Sequence, residues 1–360
     1  MGQVDVRAVL GAFSGRRVFV TGHTGFKGSW LAFLLNEVGA EVMGYALKPC
    51  TTPNHFELLQ LDRKISSVIG DIRDGPGVLS AIQSFQPEFV FHLAAQALVS
   101  SSYADPVLTF ETNILGSINI LEAVRQAGSV RSLVYITSDK CYENLEWVWG
   151  YRENDRLGGH DPYSASKAAA EIAFSAYAKS FFSSRPDLGA ASARAGNVIG
   201  GGDWADNRIV PDCVRAALAD AAIQLRRPEA TRPWQHVLEP LSGYLLLAHR
   251  LRNAPSVYGG AWNFGPNSRE IRTVREVADK IIGRLGRGRV EILDGPPGVH
   301  EAGLLQLNCE KANQMLGWYP RWDVDKALTV TADWYKAVVQ GRDATAVTRA
   351  QIHDYFPEVS

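Results

Sequence analysis

The sequence predicts an α/β protein with a doubly wound parallel sheet and a smaller mixed α/β lobe. Over residues 1–195, short β-rich runs alternate with helical patterns. Such a βαβα alternation is typical of a parallel sheet with right-handed crossovers. Beyond Gly196 the pattern loosens into glycine-rich loops, for example at 295–298, and short apolar segments. We therefore expect a first domain over 1–195 and a mainly ligand-binding lobe over 196–360, with a strand near 261–264 able to return to the main sheet.

Each predicted element follows from its residue pattern. Runs of β-branched and other apolar residues predict strands, whereas apolar residues at helical spacing predict helices. The predicted strands are 17–20, 41–46, 68–69, 89–91, 133–137 and 191–195. The predicted helices are 26–38, 108–127 and 163–182, and Gly39 is suited to end the first of them.

Composition and charge restrict the classes of partner. The chain has 360 residues, of which 46% are hydrophobic and 21% are charged, so a packed core is expected rather than disorder. The 37 basic and 38 acidic residues leave a net charge of −1, which gives no electrostatic footprint for nucleic acid or for an anionic membrane. An anionic ligand would have to be held by local arginines.

The sequence also lacks membrane, targeting and metal signals. No apolar run approaches the ~20 residues of a membrane-spanning helix, and Asp5 and Arg7 interrupt the stretch where a signal peptide would be apolar. The four cysteines, at positions 50, 141, 213 and 309, do not have metal-ligand spacing. We expect a cytoplasmic protein with reduced thiols, no metal site and no membrane partner.

A glycine-rich turn follows the first predicted strand and precedes the first predicted helix. Its three glycines have GxxGxxG spacing: one permits a tight turn, another the approach of backbone to a pyrophosphate, and the third the packing of helix on strand. The N-terminus of the helix also offers unpaired N–H groups to phosphates. This context predicts a Rossmann-type, NAD(P)-binding domain. The residues of the turn expected to hold the cofactor are Gly22, His23, Thr24, Gly25, Phe26 and Gly28.

The residues after the second and third strands leave the identity of the dinucleotide open. An acidic residue about twenty positions after the glycines would bind the ribose hydroxyls of NAD, but the second strand ends without one. Lys48 either meets the 2′-phosphate of NADP or is a solvated loop lysine. Asp71, followed by Ile72, either accepts a hydrogen bond from the adenine amino group or caps a helix. The residues expected beside the cofactor after the fourth strand are Ala94, Ala95 and Gln96.

A tyrosine–lysine pair lies on the helix after the fifth strand. Tyr163 and Lys167 are four residues apart, so both side chains lie on one helix face. A free tyrosine has a pKa near 10 and is a poor base at neutral pH. A nearby ammonium, together with the positive nicotinamide ring, favours the phenolate, and lowering the pKa to about 7 requires roughly 4 kcal/mol. We therefore predict that Tyr163 is a catalytic base whose pKa is lowered by Lys167 and by the nicotinamide ring.

Three reactive side chains follow the fifth strand directly: Ser138, Asp139 and Lys140. Ligands bind at the carboxyl ends of the strands in such sheets. A hydroxyl, a carboxylate and an amine at this edge can orient a substrate hydroxyl, protonate a leaving oxygen and move a carbon-bound proton. The alternative is a surface ion pair between Asp139 and a neighbouring base.

The glycine turn, Ser138 and the Tyr163–Lys167 pair together resemble the extended branch of the short-chain dehydrogenase/reductase superfamily. Longer runs narrow the resemblance to the CDP-glucose 4,6-dehydratases. These runs are TGHTGFKGSW (21–30), TSDKCYEN (137–144), WVWGYREN (147–154), RAGNVIGGGDW (194–204) and RPWQHVLEPLSGY (232–244). The dTDP-glucose dehydratases carry a glutamate in the position of Lys140, whereas a lysine is usual in the CDP enzymes, so this residue supports the narrower resemblance.

The resemblance implies a nucleotide-sugar 4,6-dehydratase that uses NAD. Its substrate would be CDP-D-glucose and its product CDP-4-dehydro-6-deoxy-D-glucose, formed by transient oxidation at C4, loss of water across C5 and C6, and reduction at C6. By the same resemblance, Tyr163 takes the proton of the 4-hydroxyl, Ser138 orients that hydroxyl, and Asp139 protonates the departing 6-hydroxyl. Lys140 is either the base toward C5 or an electrostatic helper. An acidic residue often stands at the position of Lys48 in these enzymes, so NADP is not excluded.

The resemblance also implies how the substrate and a second subunit are held. Asn197, Arg208 and Arg232 would face the substrate diphosphate, for which the planar fork of arginine is suited. The helices over 108–127 and 163–182 would form a four-helix bundle across a two-fold axis, so a homodimer is expected. The alternatives are a nucleotide-sugar 4-epimerase, which needs no acid at C6, and a non-catalytic binding protein on the same fold.

Overall fold

The computed structural model, which describes residues 4–267, 270–293 and 304–359, is built on a central parallel sheet. Its strands are β1 (Arg17–Thr21), β2 (Glu41–Ala46), β3 (Ser66–Ile69), β4 (Phe89–His92), β5 (Ser132–Ile136), β6 (Gly189–Ala195), β7 (Val198–Ile199), β8 (Ala222–Leu225), β9 (Thr231–Arg232), β10 (Gln235–His236), β11 (Gly260–Phe264), β12 (Arg272–Thr273) and β13 (Arg289–Ile292). In the described part of the chain, seven of them form the main sheet in the order β11-β6-β5-β4-β1-β2-β3, all parallel. The predicted doubly wound α/β fold is confirmed.

Helices pack on both faces of this sheet. They are α1 (Val6–Gly11), α2 (Phe26–Glu37), α3 (His55–Leu58), α4 (Gly75–Phe85), α5 (Val99–Ala104), α6 (Pro106–Phe110), α7 (Ser117–Gln126), α8 (Pro162–Ser180), α9 (Ile209–Leu218), α10 (Leu238–Asn253), α11 (Pro255–Tyr258), α12 (Val274–Leu285), α13 (Val324–Val339) and α14 (Ala344–Tyr355). Successive strand residues point to opposite faces. Val18 and Val20 therefore join a core with α2 and α10, while Phe19 joins a second core with α4, α7 and α8.

The long helix predicted over 108–127 is interrupted in the structure. After α6, a wider π-helical turn at Glu111–Gly116 precedes α7. Within this turn, Asn113 donates hydrogen bonds to Ser166 Oγ on α8 (2.8 Å) and to the carbonyl of Gln96 after β4 (3.0 Å). The wider turn thus coincides with polar contacts that join the two helices to the loop after β4, as is common for π-helical turns near functional sites. Apolar spacing alone does not reveal such contacts.

The chain after residue 196 contributes to two parts of the molecule. In its described residues, β7 pairs with β10, β8 with β13 and β9 with β12, outside the main sheet. However, α10 packs on β5 and β6, and β11 pairs with β6, where Trp262 lies opposite Ala193. The strand expected near 261–264 therefore lies in the main sheet, and the loop predicted at 295–298 lies outside the described residues. None of the helices in the described ranges is long and apolar enough to cross a membrane.

We predict that Gly28→Ala strongly destabilises the protein. An alanine Cβ at this position would lie 2.0 Å from the carbonyl oxygen of Gly22, a backbone atom that can move only with the whole turn. Overpacking of this kind lowers the free energy of unfolding by about 1–3 kcal/mol or more. Chemical denaturation followed by circular dichroism measures the loss.

Gly283→Ala is the matched control for this substitution. Gly283 lies in α12, and no heavy atom outside its own helix backbone and chain neighbours lies within 4 Å of its Cβ position. Alanine there is expected to raise the free energy of unfolding by about 0.5–1 kcal/mol, because it restricts the unfolded chain and suits a helix. Similar effects of the two substitutions would contradict the packing argument.

Candidate active site

The glycine turn lies where the carboxyl ends of β1 and β4 meet. Gly22 has a φ of +77°, and a Cβ on this residue would lie 2.8 Å from the backbone nitrogen of Ala94. Thr21 Oγ1 accepts hydrogen bonds from the N–H groups of Leu93 and Ala94, both at 3.1 Å. The two strand ends are therefore too close for any side chain at Gly22, and its backbone conformation also requires glycine.

The start of α2 presents unpaired backbone donors beside this turn. Its N-cap is Gly25, which has no side chain to accept hydrogen bonds from the N–H groups of the first turn. That turn carries Lys27 rather than a carboxylate. Unpaired N–H groups and the helix dipole both favour an anion at this point. The turn therefore fits the pyrophosphate of a dinucleotide.

The other predicted residues of the turn use their side chains to anchor it. The imidazole of His23 is buried, with Nε2 2.7 Å from a serine hydroxyl of β3, and burial lowers its pKa to about 4. Thr24 Oγ1 donates to the carbonyl of Leu47 after β2, at 2.8 Å. Phe26 lies against the loop after β7, where a Cβ on Gly200 would be 3.1 Å from its ring. His23 and Thr24 thus present backbone rather than side chains toward a ligand.

Asp71, at the end of the loop after β3, is bound by an arginine. The guanidinium of Arg73 lies 2.7 Å from its carboxylate, and hydrogen bonds from Arg73 hold the pKa of Asp71 below its usual value. Asp71 is not a helix cap, because α4 is capped by Asp74, whose carboxylate accepts from the backbone N–H of Gly77. The alternative of a helix cap is therefore wrong, and the role of Asp71 toward adenine stays a prediction.

The remaining predicted cofactor residues differ in exposure. Ile72 is buried against Gly116 of the π-helical turn, so its side chain belongs to the core. Lys48 is exposed after the end of β2, and Ala95 is partly buried after β4. The side-chain amide of Gln96 donates to a hydroxyl of α6 at 3.0 Å. Ile72 and Gln96 therefore use their side chains within the protein.

Ser138 and Tyr163 meet at the carboxyl end of β5. Both residues are buried. Burial raises the pKa of Tyr163 to about 12, while the neighbouring hydroxyl of Ser138 and the positive charge of Arg208 act in the opposite direction. In the protein alone, loss of hydration outweighs the favourable charges. The lowered pKa expected from Lys167 together with the nicotinamide ring stays a prediction.

Asp139 has one carboxylate oxygen that no described residue binds. Ser138 Oγ donates to its Oδ1 at 2.9 Å, whereas the buried Oδ2 makes no hydrogen bond and faces Gly196. Burial raises the pKa of Asp139, and the charge of Lys140 opposes the rise. The alternative of a surface ion pair is wrong, since only 2% of Asp139 is exposed. A buried carboxyl group with a raised pKa is suited to give a proton to a ligand.

Lys167 lies one helical turn before a buried ion pair. Glu171 on α8 binds Arg194 of β6 at 2.8 Å and also accepts hydrogen bonds from Ser192 (2.8 Å) and Thr137. Burial lowers the pKa of Lys167 to about 8, and the charge of Glu171 opposes this shift. Lys167 can therefore gain and lose a proton near neutral pH.

The three predicted substrate-binding residues lie in different surroundings. Arg208, just before α9, forms an ion pair with Asp203 at 2.8 Å, and its charge acts on Tyr163. Asn197 follows β6, and its carbonyl accepts from the backbone of β10 at 3.1 Å. Arg232 lies on β9 and donates to the carbonyl of the residue before it, at 2.7 Å. Of these three residues, Arg208 is thus the one whose charge acts on Tyr163.

Three charged residues enter the site that the sequence reasoning missed: Lys27, Glu171 and Asp203. Lys27 belongs to the 21–30 run, so its position beside the glycines was an available signal. Glu171 lies on the same helix face as Lys167, one turn further along, which was a weaker signal. The position of Asp203 in the sequence has no spacing to the other site residues that would have indicated its role. Across the described residues, no group of three His, Cys, Asp or Glu side chains is arranged to hold a metal ion.

Comparison with known proteins supports a common fold along most of the chain. A CDP-glucose 4,6-dehydratase from Salmonella typhimurium is 48% identical, over 96% of this chain and 97% of the relative. A UDP-glucose 4-epimerase from Thermus thermophilus, solved in complex with NAD, has a TM-score of 0.76 and 29% identity, covering 89% of this chain and 99% of that one. A dTDP-glucose 4,6-dehydratase from Streptomyces venezuelae, solved with NAD, shares the fold with a TM-score of 0.76 and 24% identity, covering 91% and 99%.

A family assignment follows from the extent of these matches. The sequence pattern of the GDP-mannose 4,6 dehydratase family matches residues 19–331, which include the glycine turn, the end of β5, α8 and Arg208. The chain belongs to the GDP-mannose 4,6 dehydratase family.

Proposed function

We propose that the protein is a nucleotide-sugar 4,6-dehydratase that converts CDP-D-glucose to CDP-4-dehydro-6-deoxy-D-glucose and water. The observation that carries this proposal is the buried carboxyl group of Asp139, which has an oxygen available to a ligand and lies beside Ser138. An enzyme that only oxidises and reduces C4 does not need such an acid. The choice of CDP-glucose is supported by the Salmonella typhimurium enzyme, at 48% identity.

The cofactor is NAD, bound along the glycine turn and the carboxyl ends of the strands. The first turn of α2 would bind the pyrophosphate, and Asp71 would accept from the adenine amino group. NAD, when bound, supplies the redox chemistry of the cycle, taking two electrons from C4 and returning them at C6. Support for NAD comes from the Thermus thermophilus epimerase, whose structure contains it.

Tyr163 and Ser138 serve the oxidation at C4. The phenolate of Tyr163 takes the proton of the 4-hydroxyl, and Ser138, which is buried after β5, orients that hydroxyl. Because burial raises the pKa of Tyr163 to about 12, the phenolate requires additional positive charge in the site. Protonated Lys167, one turn along α8, and the positive ring of the bound nicotinamide provide it.

Asp139 and Lys140 serve the loss of water. In this step the C5–H and C6–O bonds break, a double bond forms between C5 and C6, and the departing hydroxyl leaves as water with a proton from Asp139. Burial raises the pKa of Asp139 and so favours the protonated form that this step needs. Lys140, partly buried beside it, is either the base that takes the C5 proton or a cation that stabilises the developing charge.

The substrate diphosphate is held by Arg208, Asn197 and Arg232. Arg208 is the one of these residues whose charge acts on Tyr163, so it would bind near the reacting sugar. We also propose that the enzyme works in the cytoplasm, which is consistent with its four unpaired cysteines.

The protein is proposed to act as a homodimer through α6, the π-helical turn and α8. Large apolar side chains on these elements are exposed: Val107 (65%), Leu115 (58%) and Ile172 (59%). Such a cluster on a single chain is typical of an interface. A two-fold arrangement would bury the same surface on both subunits.

The first experiment tests the reaction and the nucleotide together. The purified enzyme is incubated with NAD and with CDP-, dTDP-, UDP- or GDP-glucose, and the products are analysed by mass spectrometry. Loss of one water from CDP-glucose, and not from the others, is the expected result. An isomer of unchanged mass would indicate a 4-epimerase and contradict the role of Asp139.

We predict that Asp139→Asn blocks dehydration but not oxidation. The amide cannot protonate the leaving hydroxyl, so turnover should fall about 10²–10⁴-fold. Reduced nicotinamide, detected by its absorbance, should still form in a single turnover. Asp74→Asn is the matched control, because asparagine caps a helix as well as aspartate does. Near-normal dehydration by Asp139→Asn would overturn the assignment.

We predict that Ile172→Lys separates the dimer. A charge on each subunit at the proposed interface would be buried without a partner. Light scattering should then report a mass near 39.4 kDa, instead of about twice that value for the parent protein. Val257→Lys is the control, since Val257 is 55% exposed on α11, away from this surface. A monomeric parent protein, or equal effects of both changes, would contradict the proposal.

A further inference from the structure

A single 3₁₀ turn after β5 carries the proposed acid, and Tyr142 closes this turn. The turn spans Asp139–Cys141, and the backbone N–H of Tyr142 donates to the carbonyl of Asp139 at 3.3 Å. Only 1% of Tyr142 is exposed, so its whole side chain, including the phenol hydroxyl, lies inside the protein. The proposed mechanism uses Asp139 but gives no role to Tyr142, although the two residues share this turn.

The phenol hydroxyl of Tyr142 bonds to two neighbouring strands of the main sheet. It accepts a hydrogen bond from Arg194 Nη1 of β6 at 2.7 Å and donates one to Asn263 Oδ1 of β11 at 2.8 Å. The guanidinium carbon of Arg194 also lies 4.9 Å from the centre of the Tyr142 ring. Buried hydrogen bonds to a charged group are among the stronger contacts that a neutral side chain makes. One hydroxyl therefore ties the end of the turn to β6 and β11.

The partners of this hydroxyl are themselves held in place. Asn263 Nδ2 donates to the carbonyls of Tyr151 at 2.8 Å and Asn308 at 3.1 Å. The ring of Tyr151 also stacks on the ring of Tyr142, with the ring centres 5.2 Å apart. Because Asn263 would lose these partners by rotating, the acceptor that it offers to Tyr142 is fixed in position.

Arg194 connects this anchor to other parts of the proposed active site. Its Nη2 binds Glu171 at 2.8 Å, on the helix α8 that carries the proposed base. The chain of β6 continues from Arg194 to Gly196, which lies against the unpartnered Oδ2 of Asp139. A Cβ on Gly196 would be 2.8 Å from this oxygen. The carboxyl group of Asp139 is therefore fixed from two sides, by the turn that Tyr142 closes and by the chain that follows Arg194.

We propose that Tyr142 is a positioning residue that holds the carboxyl group of Asp139 in place for the loss of water. This inference rests on the proposed function, because it takes Asp139 as the acid of that step. Tyr142 acts through Asp139 and not on the substrate. Loss of its hydroxyl releases the turn from Arg194 and Asn263, and a displacement of about 1 Å in a reacting group can lower a rate about 100-fold.

Kinetic measurements on Tyr142→Phe test this assignment. Phenylalanine removes the hydroxyl and keeps the ring, so the stack on Tyr151 is retained. With CDP-glucose as substrate, kcat for dehydration should fall about 10- to 100-fold, while KM changes less than about threefold. Reduced nicotinamide, detected by its absorbance in a single turnover, should form at close to the parent rate, because oxidation at C4 does not use Asp139.

A double-mutant cycle separates positioning from a general loosening of the fold. In the Asp139→Asn background the acid is already absent, so the addition of Tyr142→Phe should lower turnover by less than about threefold. A substitution that only loosens the protein would lower turnover by the same factor in both backgrounds.

Two further variants complete the test. Tyr355→Phe is the matched control, because Tyr355 on α14 is also 1% exposed and its hydroxyl donates to Glu239 Oε2 at 2.7 Å, away from the proposed catalytic residues. It should lower stability in chemical denaturation and leave kcat unchanged. Asn263→Ala removes the acceptor of the Tyr142 hydroxyl, so it should lower kcat in the same direction, even if Tyr142→Phe is too unstable to assay.

Two results would overturn the assignment while the proposed function stands. One is dehydration at the parent rate by Tyr142→Phe, or by Asn263→Ala where the first variant does not fold. The other is an equal loss of turnover from Tyr142→Phe in the parent and Asp139→Asn backgrounds. A parent protein that dehydrates none of the nucleotide sugars would refute the proposed function, and this inference with it.

Discussion

The buried carboxylate of Glu171 is the contact on which the geometry of the site depends. It projects from α8 and binds Arg194 and Ser192 of β6, together with Thr137 at the end of β5. One carboxylate thus fixes the catalytic helix against two neighbouring strand ends. Breaking a buried ion pair by removing one partner is strongly destabilising, because a charge is left without compensation. Tyr163, two turns before Glu171 on α8, is held against Ser138 by this constraint.

Burial raises the pKa of both groups that are proposed to exchange protons with the substrate, but the rise suits only one of them. It raises the pKa of Asp139, which suits an acid, but it also raises the pKa of Tyr163, which does not suit a base. The same low polarity that prepares one step of the reaction therefore hinders the other. The positive charge of Arg208, which acts to lower the pKa of Tyr163, limits this conflict only in part. The proposed catalytic state consequently depends on charges that arrive with cofactor and substrate.

The sequence predicted those elements whose conformation depends on residues close together in the chain. The GxxGxxG spacing located the turn, and the structure gives the physical cause: Gly22 has a positive φ, and Gly28 has no space for a Cβ. The apolar strands and the position of the Tyr163–Lys167 pair were also predicted. The wider π-helical turn around Asn113 was not predicted, because it coincides with hydrogen bonds to α8 and to the loop after β4. Periodicity reports which residues face a core and carries no information on such partners.

By itself, the sequence determined the fold class, the dinucleotide turn and the set of reactive side chains after β5 and on α8, because each depends on residues close together in the chain. Tertiary structure decided which charges meet. Glu171 and Arg194, which are 23 positions apart in the sequence and belong to different elements, form a buried ion pair at 2.8 Å. Structure also decided that Asp74 rather than Asp71 caps α4, and that burial controls the pKa of Tyr163. Hydration and charge at one point in space depend on every element packed around it, and no single stretch of sequence contains that information.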